Sequence, residues 1–133
     1  MKLVHIGIVV KNIDTYLINN VINESSEIVY DEIQDADITF VINQNSAIGI
    51  ELIQPKSANS MVYNFLNKTG GGLHHLCYEV DSVEEVERIV NKNNMIIIFG
   101  PAKAIALDNH IVIFAYTRNK ELIEFEVCNN AVE

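Results

Sequence analysis

Apolar and polar positions alternate over residues 2–10, and the alternation, with its β-branched content, predicts a strand. Asp14 then stands where a helix cap is expected, ahead of Tyr16, Leu17 and Val21 at helical spacing. Three more β-prone stretches follow at residues 27–34, 37–43 and 47–54, separated by acidic and Asn/Ser turns and closed by Pro55. This first module, strand-helix-strand-strand-strand, occupies about residues 1–56. A linker helix over about residues 57–72 carries Met61, Val62, Phe65 and Leu66 at helical spacing and stops at Thr69-Gly70-Gly71-Gly72. The order then repeats over about residues 73–129. A strand at 74–80 leads to a helix capped by Ser82, with Glu85 three positions on and Val83, Val86, Ile89 and Val90 turned inward. Strands at 95–99, 110–117 and 121–128 follow, interrupted by Gly100-Pro101 and by the polar turn Arg118-Asn119-Lys120. The expected architecture is one α+β domain of two tandem βαβββ modules, whose mixed sheet curves around a cleft.

The modules also match in chemistry. His5 opens the strand His5-Ile6-Gly7-Ile8-Val9-Val10, and Glu51 lies 46 positions on, in Gly49-Ile50-Glu51-Leu52-Ile53. His75 opens His75-Leu76-Cys77-Tyr78-Glu79-Val80, and Glu124 lies 49 positions on, in Leu122-Ile123-Glu124-Phe125-Glu126. Side chains alternate faces along a strand, so His5 goes with Gly7 and Val9, and His75 with Cys77 and Glu79. By the same count Glu51 joins Gly49 and Ile53, Glu124 joins Leu122 and Glu126, and the helices cover the opposite, apolar faces. Any one of these four side chains, taken alone, reads more readily as a solvated residue on the open face of a sheet. Four of them at paired positions read as ligands, and two imidazoles with two carboxylates suit a divalent ion of the Zn, Mn, Co, Ni or Fe class. His74 points away from His75 and reads as a structural or rim residue, Cys77 as a small buried side chain, and Glu84, Glu85 and Glu87 as the wet face of a helix. His110 has no role in this pattern.

Composition narrows the partners. The 133 residues are 49% hydrophobic and 20% charged, enough for one compact core. The net charge is −9 and the nine Lys and Arg are scattered, which argues against nucleic acid or an anionic membrane as a partner. The apolar run at 3–10 is too short, and too interrupted by His5, for a signal peptide or a membrane span. Cys77 and Cys128 form no CxxC motif and read as reduced thiols in a cytoplasmic protein.

The phrases HIGIVV, IELIQP, FLNKTGGGLHHLCYEV and LIEFEV, spread over residues 3–128, resemble the vicinal oxygen chelate superfamily, also called the glyoxalase and bleomycin-resistance fold. That resemblance implies that each module supplies a metal ligand from its first and last strands, which places the set on His5, Glu51, His75 and Glu124, with His75 rather than His74 aligned to His5. Within the superfamily the chain most resembles the methylmalonyl-CoA epimerases. There a bound metal chelates the thioester and carboxylate oxygens and stabilises an enolate while a base moves a proton, so Glu51 and Glu124 become the catalytic candidates. Epimerases of this kind carry a catalytic Glu on a middle strand of the first module. The matching stretch, residues 35–40, has none, and Asp37 or Thr39 sits closest. The implied partners are a small-molecule substrate, either an acyl-CoA or a glutathione adduct, and a second copy of the chain in a homodimer. Lys103, Arg118 and Lys120 are the cations near the last strands that could meet CoA phosphates. A glyoxalase I (lactoylglutathione lyase) is the first alternative, although residues 12–16 lack the Arg and the Phe-Tyr pair usual there. A metal-free antibiotic-binding protein is the second, although such proteins lack the four ligands retained here.

Overall fold

The computed structural model describes residues 1–42 and 46–128. The chain divides into two compact units, one of residues 5–74 and one of residues 75–133 with residues 1–4. Each is a βαβββ module.

The first unit takes β1 (Lys2–Val9) from His5 onward, then α1 (Ile13–Ile18), β2 (Val29–Asp31), β3 (Ala36–Val41), β4 (Gly49–Pro55) and the linker helix α2 (Tyr63–Thr69). Its strands lie in the order β2-β3-β4-β1, with β4 parallel to β1 and the other pairs antiparallel. The apolar face of this sheet is covered as expected: Val10, Ile13, Leu17, Val41 and Leu52 form one buried cluster. Helix α1 is shorter than its pattern predicts, and Asn12, not Asp14, caps it by accepting from the Thr15 backbone N–H at 2.8 Å. Asp14 sits in the first turn, where a negative charge favours the helix dipole. Val21, expected on the helix, lies beyond it and is 94% exposed. The strand expected at 27–34 shrinks to three residues because Asp31 turns the chain, its carboxylate accepting from the Ile33 and Gln34 backbone N–H groups and the Gln34 amide. The predicted end of β3 at Asn43 falls outside the described residues.

The second unit holds β5 (Gly72–Val80) from His75 onward, α3 (Val83–Lys92), β6 (Ile96–Ala104), a single 3₁₀ turn (Ile105–Leu107), β7 (His110–Tyr116) and β8 (Leu122–Val127). The order is β5-β8-β7-β6, again with the first and last strands of the module parallel. Ser82 caps α3 by accepting from the Glu85 N–H at 3.0 Å, and the Glu85 carboxylate accepts from the Asp81 N–H at 2.9 Å. Val86 and Val90 are buried against Val80, Ile113, Ala115, Ile123, Phe125 and Val127, with Val83 and Ile89 at the margin. Burial of each such valine contributes about 1.5–3 kcal/mol. Strand β6 does not stop at Gly100-Pro101 as its sequence suggests. It runs through that cis peptide bond, and two register shifts against β7 absorb the irregularity.

Gly71 has a specific reason to be glycine. Its φ is +101°, and a Cβ there would stand 2.7 Å from the Val9 carbonyl oxygen. Among the described residues no helix is long and apolar enough to cross a membrane.

Candidate active site and metal centre

The parallel pairing of β1 with β4 sets Gly7 opposite Glu51, two residues along from His5. The parallel pairing of β5 with β8 sets Cys77 opposite Glu124, two residues along from His75. The two registers are equivalent. In the first unit His5 Nε2 lies 3.4 Å from Glu51 Oε1, and in the second His75 Nε2 lies 2.9 Å from Glu124 Oε1. All four residues are buried, at 2–3% exposure, so none is the solvated face residue that an open antiparallel sheet would allow.

A feature that the hydrophobic pattern did not single out holds each pair in place. Phe40 on β3 is the cross-strand partner of Glu51, and its ring meets His5 edge-on, with centroids 5.5 Å apart and planes at 77°. Phe114 on β7 is the cross-strand partner of Glu124, and its ring meets His75 edge-on at 5.4 Å and 87°. Each imidazole is therefore fixed by a carboxylate on one edge and an aromatic ring on another. The signal was present in the sequence as a Phe 11 positions before Glu51 and another 10 before Glu124. Apolar residues on strands carry no mark that separates such a role from ordinary core. Beside Phe114, Ala104 and Val112 complete a buried cluster with Phe99, Leu107 and Leu122 packed on it. Val112 and Leu122 share Glu124's face and give that carboxylate an apolar wall.

The register also decides what the middle strand of the first module can offer. Because Phe40 is opposite Glu51, the residues of β3 on Glu51's face are Phe40, Ile38 and Ala36. Thr39 and Asp37, the nearest substitutes for the expected catalytic Glu, lie on the other face. Thr39 donates to the Ser26 carbonyl at 2.6 Å, and Asp37 pairs with Lys56 at 3.0 Å. Neither is placed to act beside Glu51. His74 turns away from His75 as the alternation predicts and stands edge-on to Phe65 of α2, centroids 5.0 Å apart. Cys77 is fully buried on the His75 face. His110 is not an isolated residue: its Nδ1 lies 2.6 Å from Glu126 Oε2.

Each unit thus presents one buried imidazole and one buried carboxylate, donors that suit a divalent ion of the Zn, Mn, Co, Ni or Fe class. The model of the Glyoxalase/Bleomycin resistance protein/Dioxygenase superfamily matches residues 4–114. The chain belongs to that superfamily. It is 32% identical to the mitochondrial methylmalonyl-CoA epimerase of Dictyostelium discoideum, over 94% of this chain and 77% of that one. Its fold is shared with the methylmalonyl-CoA epimerase of Mycobacterium tuberculosis, at a TM-score of 0.75 and 23% identity over 95% of this chain and 87% of that one. It is also shared with a variant of the Streptomyces coelicolor methylmalonyl-CoA epimerase in complex with 2-nitronate-propionyl-CoA, at a TM-score of 0.79 and 21% identity over 100% of this chain and 97% of that one. The protein is an enzyme of the glyoxalase superfamily.

Proposed function

We propose that this protein is a divalent-metal-dependent epimerase of the methylmalonyl-CoA epimerase type, acting at a carbon next to a thioester carbonyl, with His5, Glu51, His75 and Glu124 as the ligands of one ion. The observation that carries the reading is the repeated buried His–Glu pair, in equivalent register and with its own Phe in each module. The kinship to a methylmalonyl-CoA epimerase over most of the chain supports the choice of reaction. The donor set fits a metal on physical grounds, since carboxylates buried among aromatic and apolar side chains are costly unless their charge is compensated. Such an ion would supply Lewis-acid stabilisation of the negative charge that develops on a substrate oxygen.

The chain's own groups do the rest. His5 and His75 direct Nε2 toward their carboxylates, an orientation held by Phe40 and Phe114. Glu51 or Glu124, released from the ion, would be the carboxylate that takes and returns the proton, a role for which no candidate remains on Glu51's face of β3. Val112, Phe114 and Leu122 keep the surroundings of Glu124 apolar and dry, which strengthens electrostatic interactions there. Arg118 and Lys120 are the cations offered to the phosphates of an acyl-CoA, while Lys103, opposite Ile111, lies on the other face of β6 from Ala104 and the Glu124 side. We assign the protein to the cytoplasm on the reading of Cys77 and Cys128 as reduced thiols, and to a homodimer on family likeness, the latter checked by light scattering.

The test is C2 hydrogen exchange of methylmalonyl-CoA in deuterated water with metal-loaded protein. Exchange that is lost on chelation supports the epimerase, and no exchange with cobalt, manganese, nickel or zinc overturns it. Glutathione-dependent consumption of methylglyoxal would put the glyoxalase I reading in its place. Ligand capture without metal uptake would favour the antibiotic-binding one.

A further inference from the structure

The second unit carries a group of metal-type donors that the His75–Glu124 pair does not use. Strand β8 continues past Glu124 to Glu126, Cys128 follows its last residue, and register places Val112 of β7 and Glu79 of β5 opposite Glu126. By alternation His110, Glu126, Cys128 and Glu79 therefore share one face, a ladder step beyond Glu124. His110 Nδ1 is 2.6 Å from Glu126 Oε2, and Cys128 Sγ is 3.6 Å from the same nitrogen. The Cys128 backbone N–H donates to the Val80 carbonyl at 3.1 Å, which fixes the end of β8 against β5 and holds the thiol over the face.

We propose that His110, Glu126 and Cys128, with Glu79 beside them, form a second cation site for a borderline-soft divalent ion such as zinc. The three donors, an imidazole nitrogen, a carboxylate oxygen and a sulfur, lie within 4.8 Å of one another. With Zn–N near 2.0 Å and Zn–S near 2.3 Å, a tetrahedral site has an N···S edge of about 3.5 Å. The observed 3.6 Å matches it. The corresponding N···O edge is about 3.3 Å. Glu126 therefore backs away from His110 by less than an ångström to admit the ion.

Charge points the same way. Burial first, and then the carboxylates of Glu79 and Glu126, push the Cys128 thiol up to about 12. Those carboxylates disfavour a bare thiolate, but they are also the charges that attract a dication, and a coordinated thiol gives up its proton outright. Metal uptake here releases the Cys128 proton to solvent and forms the S–metal bond in its place.

Cobalt alone is the probe, added to purified protein freed of metal by chelation. Thiolate ligation gives cobalt an intense near-ultraviolet charge-transfer band that histidine and carboxylate ligation does not. The band is expected at saturation, is abolished by Cys128→Ser and survives Cys77→Ser. Half-exposed His110 tolerates change, so His110→Ala is expected to remain folded and to weaken the band-forming phase by at least the roughly 10- to 100-fold typical of an outer-shell partner. Circular dichroism confirms that each variant is folded. Absence of the band at saturating cobalt, or its loss with Cys77→Ser rather than Cys128→Ser, overturns the site and leaves His110–Glu126 a plain hydrogen-bonded pair.

Discussion

Replacing Phe114 with leucine separates what the ring does for the fold from what it does for the histidine. Phe114 is 5% exposed, packs with Ala104, Val112 and Leu122, and meets His75 edge-on at 5.4 Å. Leucine keeps most of the volume, so the packing loss is below about 1.5 kcal/mol, and the lost ring–ring contact adds about 0.5–1.5 kcal/mol. A total near 2 kcal/mol lowers the thermal midpoint of a domain this size by roughly 6–10 °C, which a melting curve resolves. The same change frees the His75 imidazole to rotate away from Glu124, and metal affinity is expected to fall about 10- to 100-fold, as for the loss of a group that orients a ligand. Chelator competition measures it. Phe40→Leu is the matched experiment in the other module. Phe40 is only half-buried, so it should lose less stability but a comparable factor in affinity. If Phe114→Leu lowers the midpoint while metal affinity stays at the wild-type value, the ring is core filling and its role in orienting His75 is refuted.

Gly71→Ala should cost about 1–3 kcal/mol in urea unfolding, because the added Cβ meets the Val9 carbonyl and the φ is left-handed. Gly70→Ala, also at positive φ but with open space around it, should cost less. Ser82→Ala removes the α3 cap and should cost about 0.5–2 kcal/mol by the same assay. Hydrogen bonds from Ser57 and then Tyr30 hold the Asp35 carboxyl below its ordinary 3.8. Its contribution is therefore present above that pH and lost as pH falls through the folded value, so Asp35→Asn should flatten the acid limb of a stability–pH curve while leaving the neutral region parallel to wild type.

The fold was legible where local chemistry and periodicity agree. The Ser82–Glu85 capping pair, the inward stripe of α3 and the alternation around His5 and His75 all appear where the sequence puts them. Boundaries were less legible where a polar side chain competes with the regular structure. Asn12 displaces Asp14 as a cap, and Asp31 cuts β2 short by gathering three hydrogen bonds into a turn. A Gly-Pro pair read as a break became an irregularity inside β6, because β7 continues to pair on both sides of it. The His and Glu candidates were visible because polar residues in apolar strands stand out. Phe40 and Phe114 were not visible, and the face of Asp37 and Thr39 could be assigned only once the β3–β4 register was known.

The central claim is that both modules serve one ion. Titrating metal-free protein with cobalt, and following the visible absorption of the phase that lacks a thiolate band, tests it through His5→Ala and His75→Ala measured separately. A shared ion predicts that either substitution, each in a different module, weakens or removes the same single equivalent. Loss of a separate equivalent by each variant, or uptake unchanged in both, would contradict it.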